Sequence, residues 1–138
     1  MERFENISRF APITTTNGAV GYVEGESIEK LIANKLTSNN LTISFAESFT
    51  GGKISDILVS VPGASSFFKG SLVCYSTASK VNNLNVDKDL IDKYSVVSKE
   101  VVESMALNVK KMFNSDYSLA TTGNAGPTKG DSNKEIGT

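Results

Sequence analysis

Between residues 27 and 121 the apolar and polar positions change rhythm several times, and each change marks an element. Ile28, Leu31, Ile32 and Leu36 recur every three or four residues, one face of a helix that opens at Ser27 and ends near Ser38-Asn39-Asn40. Residues 41–46 instead alternate with a β-branched bias, as a strand entering a core does. Helical spacing returns at Ile54, Ile57, Leu58 and Val61 and predicts a helix over 51–60, stopped by Val61-Pro62-Gly63. Phe67 to Tyr75 suits a buried strand around 70–75. Ser76 to Leu84 reads as a short helix carrying Lys80, and Val86 to Lys93 as another with Asp87 as its cap. A longer helix begins at Ser98, with Glu100 in its first turn. Its stripe of Val101, Val102, Met105, Val109, Met112 and Phe113 is core, and Lys110 and Lys111 suit the negative end of its dipole. Tyr117 to Thr121 is the next strand. It runs into Thr122-Gly123-Asn124-Ala125-Gly126-Pro127 and then a polar segment, 128–135.

Strands alternating with helices, without internal repeats, predict an α/β fold: a three-layer α/β/α sandwich around a mixed, mostly parallel sheet. Ligands in such sheets bind beyond the carboxyl ends of the strands, so the loops 46–52, 75–80 and 121–127 are expected to converge. The first of these, Phe45-Ala46-Glu47-Ser48-Phe49-Thr50-Gly51-Gly52, places hydroxyls and a carboxylate between a strand and a glycine-opened helix. Ser48 or Thr50 there can cap the helix, bind a phosphate or attack a carbonyl, and Gly51 and Gly52 let a ligand approach the backbone. Glycines in 51–52 and 123–126 are expected to offer N–H donors to an oxyanion or phosphate.

Composition narrows the chemistry. The chain has 138 residues, enough for one core without a staple, and a net charge of −1, so no basic footprint argues for nucleic acid. No apolar run approaches the roughly 20 residues of a membrane span. The start, Met1-Glu2-Arg3-Phe4-Glu5, lacks an apolar signal-peptide core, and with the single cysteine, Cys74, it points to a cytoplasmic setting. Cys74, inside Ser71-Leu72-Val73-Cys74-Tyr75, reads as a small buried hydrophobe. Residues 1–24 show no clean period and read as a leader or linker remnant ahead of a domain over 25–138. There is no histidine, which excludes Ser-His-Asp and Cys-His catalysis and histidine-built zinc sites within the chain. A hydroxyl nucleophile then needs another base, and a lysine whose pKa is lowered by partial burial is the natural candidate. Lys80 follows the buried-looking strand; the ordinary alternative is a solvated lysine on a helix.

The blocks Ala46-Glu47-Ser48-x-Thr50-Gly51-Gly52, Val61-Pro62-Gly63-Ala64-Ser65, Lys69-Gly70 to Tyr75-Ser76, Lys80, Val97-Ser98 and Thr122-Gly123-x-Ala125-Gly126-Pro127 resemble the CinA carboxy-terminal domain, the nicotinamide mononucleotide deamidase family. Their order and spacing cover roughly residues 26–138. The resemblance implies a serine amidohydrolase that converts nicotinamide mononucleotide to nicotinic acid mononucleotide and ammonia by a Ser/Lys mechanism, with no metal and no cofactor. Carried over by position, Ser48 is the nucleophile, with Ser65 the competing assignment, and Lys80 is the base. Tyr75 supports proton transfer. Thr122 and the loop from Gly123 through Ala125 to Gly126 hold the substrate or oxyanion, Glu47 orients its neighbours or the ribose, and Thr50, Gly51 and Gly52 complete the binding loop.

Two positions depart from the family pattern: Phe49 stands where cysteine is usual, and Asn124 where isoleucine is usual. Relatives also continue past a Gly-Thr like Gly137-Thr138 into a further strand and helix, so an open sheet edge and a homo-oligomer are expected. The implied partner is a small pyridine nucleotide, without nucleic acid or membrane. The competing expectation is a catalytically impaired nucleotide-binding or interaction module of the same fold.

Overall fold

The computed structural model describes residues 27–128, 130, 132 and 134–138, so the expected leader, 1–24, lies outside the described residues. In chain order the elements are α1 (Ile28–Ser38), β1 (Ile43–Glu47), α2 (Lys53–Val59), a 3-10 turn (Ala64–Ser66), β2 (Phe68–Val73), α3 (Thr77–Leu84), α4 (Lys88–Tyr94), α5 (Lys99–Phe113) and β3 (Tyr117–Ala120). Every element read from the hydrophobic rhythm is present, with ends shifted by a residue or two. The three described strands form one sheet in the order β2-β1-β3, and both pairings are parallel.

Central β1 is buried on both faces, as a strand covered from both sides must be. Ala46 turns to one cluster with Cys74, Leu84, Val86, Ile91, Val101, Met105 and Val109, so the stripe of α5 is core as expected. Phe45 turns to the other, with Ala33 and Leu36 of α1, Leu58 of α2 and Phe67. Helices α3, α4 and α5 therefore cover one face and α1 and α2 the other, which makes the three layers. Burial pushes the Cys74 thiol up, against the pull of nearby Lys80, and the side chain packs as the hydrophobe expected.

Caps fall where their side chains can reach orphan N–H groups. Ser76 accepts from Ser79 N at 3.1 Å, Asp87 from Asp89 N at 2.9 Å and Ser98 from Val101 N at 3.3 Å. Helix α2 differs. Neither Ser48 nor Thr50 caps it, and it starts at Lys53 rather than 51, because Gly51 and Gly52 both adopt positive φ in a turn that precedes the first helical residue.

Candidate functional site

The carboxyl end of β1 is held from both sides. Cys74 N donates to Glu47 O at 2.7 Å, extending the β2 ladder, and Ser48 N donates to Thr121 O and to Thr121 Oγ1, both at 3.2 Å, extending the β3 ladder. Ser48 is therefore fixed at the point where the strand stops. Gly51 N closes a turn onto Ser48 O at 3.2 Å.

Lys80 arrives from the other strand. Only a few residues separate the end of β2 from α3, and a side chain in the second turn of a helix leans back toward its amino end. Lys80 is thereby folded under the turn and is 1% exposed, not solvated. Its Nζ donates to Ser48 Oγ at 2.9 Å, to Cys74 O at 2.7 Å and to Tyr75 O at 3.3 Å. Ser48 is itself 7% exposed. A primary amine and a hydroxyl, 32 residues apart in sequence, thus meet at hydrogen-bond distance where water has little access.

A cleft of about 300 Å³ opens beside this pair, at the low end of the size range of ligand sites. Its walls come from the loops expected to converge: Ser48 and Phe49 after β1; Tyr75, Ser76, Thr77 and Lys80 around the start of α3; Thr122, Gly123, Ala125, Gly126 and Thr128 after β3. Val96 and Val97, from the segment between α4 and α5, add an apolar strip that the loop rule did not single out. Among the described residues no carboxylate lines the cleft, and Lys80 is its one basic side chain.

Five of the expected residues lie elsewhere. Ser65 sits in the 3-10 turn ahead of β2, and the length of that strand, six residues at ~3.3 Å each, separates it from the carboxyl end where Ser48 and Lys80 meet, roughly 20 Å. The competing nucleophile is therefore on the wrong end of the sheet. Glu47, Thr50, Gly51 and Gly52 belong to the cap of α2 and do not line the cleft. Glu47 is fully buried, and its carboxylate takes five donors: Oε2 accepts from Thr50 Oγ1 at 2.7 Å, Gly52 N at 3.0 Å and Ile54 N at 3.0 Å, and Oε1 from Ser55 N at 2.8 Å and from the Ser55 hydroxyl. Burial alone raises the pKa of this group. The Ser55 and Thr50 hydroxyls and the N–H groups of Ile54 and Ser55 outweigh that and hold it below its ordinary value. The glycine turn was expected to cradle an external anion; the chain supplies its own, so the role left to Glu47 is to orient its neighbours. Ser55 was missed, and only its place in the first turn of α2 could have signalled it.

Tyr75 reaches Lys80 through its backbone carbonyl, while the ring stands 78% exposed at the mouth. Thr122 Oγ1 donates to Val96 O at 2.9 Å and so ties the loop after β3 to the segment before α5. Thr121, which opens the loop 121–127 expected to converge here, meets both Ser48 N and Thr50 Oγ1 with its hydroxyl and so positions the turn after β1. Asn124 is buried. Its Nδ2 donates to Lys134 O at 2.8 Å, and its N and O pair with Thr138 O and Gly137 N, each at 2.8 Å, which closes residues 134–138 onto the loop.

Gly123 sits where this closure meets the cleft wall. A Cβ there would lie 2.8 Å from Thr138 O and 2.9 Å from Cδ2 of Phe49. Gly123→Ala is accordingly expected to displace the Phe49 ring or the 134–138 segment and to cost about 1–3 kcal/mol, as overpacking does. Chemical denaturation of the variant checks this, and an unchanged midpoint contradicts it. Among the described residues no group of three or more Cys, Asp or Glu side chains is placed to hold a metal, and no helix is long and apolar enough to cross a membrane.

Residues 25–138 match a family profile described as the CinA C-terminal domain. A CinA-like protein of Flavobacterium psychrophilum is 51% identical over 119 residues, covering 86% of this chain and 28% of that protein. A CinA-like protein of Petrotoga mobilis is 47% identical over 117 residues, covering 85% and 29%. The chain thus spans under a third of the length of these curated relatives. Among solved structures, a competence-damaged protein (CinA) superfamily protein from Escherichia coli superposes with a TM-score of 0.78 at 29% identity, over 88% of this chain and 72% of that one. A competence or damage-inducible protein from Enterobacter asburiae gives 0.75 at 34% identity, over 79% and 69%.

Proposed function

From a chain that belongs to the CinA C-terminal domain family and buries a lysine against a serine at a cleft, we infer a serine amidohydrolase that deamidates nicotinamide mononucleotide to nicotinic acid mononucleotide and ammonia. The observation that carries this reading is the 2.9 Å contact between Lys80 Nζ and Ser48 Oγ in a chain without histidine. Once its ammonium has given up a proton, Lys80 has two N–H bonds and one lone pair, and its contact with Ser48 reverses, the hydroxyl donating and Nζ accepting. Cys74 O and Tyr75 O can only accept, so they take the two N–H bonds and direct the lone pair toward the Ser48 hydroxyl.

Ser48 Oγ then attacks the carboxamide carbon as its proton passes to Lys80 Nζ. Collapse of the tetrahedral intermediate breaks the C–N bond, and Lys80 returns the proton to the leaving nitrogen, which departs as ammonia. Water repeats the sequence on the acyl-serine: one proton goes to Lys80 and back to Ser48 Oγ, and the carboxylic acid is released. The cleft suits such a substrate in two ways. It combines an apolar strip with the hydroxyls of Ser76, Thr77 and Thr128, and among the described residues no carboxylate lines it to oppose a phosphate ester. The buried Cys74 thiol accords with the cytoplasmic setting in which we place the reaction.

Ammonia release from nicotinamide mononucleotide by the purified chain tests this reading, beside Ser48→Ala and Ser65→Ala. Turnover in the wild type and in Ser65→Ala, with none in Ser48→Ala, is the expected result. Wild-type turnover in Ser48→Ala would sink the assignment. Binding of the mononucleotide without turnover in any of the three would favour the non-catalytic binding module.

A further inference from the structure

Phe49 is the residue of the site that the proposed reaction leaves without a role, and its setting gives it one. It follows Ser48 directly and stands 48% exposed, while Ser48 and Lys80 beside it are buried. One side of its ring is seated on Gly123: Cγ and Cδ2 lie 3.3 and 2.9 Å from the position that a Cβ would take there. That seat exists only because residue 123 carries no side chain. Asn124, through its hydrogen bonds to Lys134, Gly137 and Thr138, holds the seat in place. The ring is thus backed by fixed chain on one side and open on the other, where it forms cleft wall next to the nucleophile. A half-exposed phenyl group gains from any flat apolar surface that covers it, and stacked aromatic pairs gain beyond the area buried.

We propose that Phe49 is the platform on which the cleft receives a planar heteroaromatic ring, setting the ring's exocyclic carbonyl carbon toward Ser48 Oγ. The substrate class rests on the reading of the preceding subsection; the platform rests on the seat at Gly123. Phe49 is a binding residue with no part in proton transfer. Its contribution is confined to ligands that carry the ring, which separates it from a residue that merely keeps the cleft open.

Calorimetric titration with nicotinic acid mononucleotide and with ribose 5-phosphate, the same ester without the ring, tests the proposal on the wild type, Phe49→Leu and Phe49→Tyr. Leucine keeps the apolar volume and loses the flat face; tyrosine keeps both. Phe49→Leu is expected to bind nicotinic acid mononucleotide about tenfold more weakly, with ribose 5-phosphate unchanged within twofold and Phe49→Tyr close to wild type. Equal weakening toward both ligands overturns the platform, because it marks a general loss of cleft shape. No weakening toward either, or no binding of nicotinic acid mononucleotide by the wild type, overturns it as well. Failure of the hydrolase is separately visible: ring-selective weakening in a chain that releases no ammonia retains the platform and removes the reaction. Turnover with no ring selectivity does the reverse.

Discussion

Lys80→Met is expected to lower the turnover of nicotinamide mononucleotide at least about a thousandfold and to leave the thermal midpoint unchanged or higher. The two halves of this result have different causes. Methionine fills nearly the volume of a lysine stem, so the space beneath the turn stays occupied. It also relieves the burial of an ionisable group, which proteins tolerate at a cost in stability. Activity falls because no other described basic side chain lines the cleft to take the Ser48 proton. The double variant Ser48→Ala/Lys80→Met sharpens the test. If the two side chains act as one unit, the double variant is no slower than either single one, since each change already removes the whole device. Multiplicative losses, or a Lys80→Met enzyme within tenfold of wild type, would show that proton transfer runs through another group.

What the sequence disclosed of this pair, and what it withheld, follows from the range over which each signal acts. Strand and helix rhythm is local. The apolar stripe of α5, the alternation of β1 and the Asp87 cap were therefore legible, and with them the parallel, helix-covered sheet. The convergence of loops follows from that topology, which is why Ser48, Lys80, Thr122 and Gly123 could be expected near one another. Burial of Lys80 was not legible, because a lysine in a short polar helix carries no mark of the turn it folds beneath. The side-chain direction of Glu47 was equally hidden. The pattern of a carboxylate, two hydroxyls and two glycines fits an external anion and an internal one alike, and only the positions of Ser55 and Ile54 decide between them. Ser65 failed for a topological reason: a residue before a parallel strand lies at the end of the sheet opposite the site. Phe49 was visible as a large residue beside the nucleophile, but its seat on Gly123 depends on two loops 74 residues apart.

Glu47→Ala is expected to cost about 3 kcal/mol or more in folding free energy, roughly 10 °C in thermal midpoint, although the side chain touches no cleft residue beyond its own chain neighbour. The variant leaves the N–H groups of Gly52, Ile54 and Ser55 without their acceptor at a part-buried helix start. The charge lost was also paired with the positive end of α2. Glu47→Gln keeps the shape and one acceptor oxygen but turns an amide N–H2 toward groups that themselves donate, so it should recover only part of the loss. The pH dependence identifies the charge as the cause. The carboxyl of the folded chain titrates below its ordinary value of 4.5, so the unfolded chain takes up the proton first as pH falls. The stabilisation is therefore complete above 4.5 and disappears as pH drops through the lower, folded value. The stability gap between wild type and Glu47→Gln, measured by denaturant midpoints, should be flat above 4.5 and close below it; a gap that persists undiminished at low pH would assign the effect to packing. Because the same carboxylate anchors the turn that carries Ser48, turnover in Glu47→Ala should fall even at temperatures where the variant remains folded.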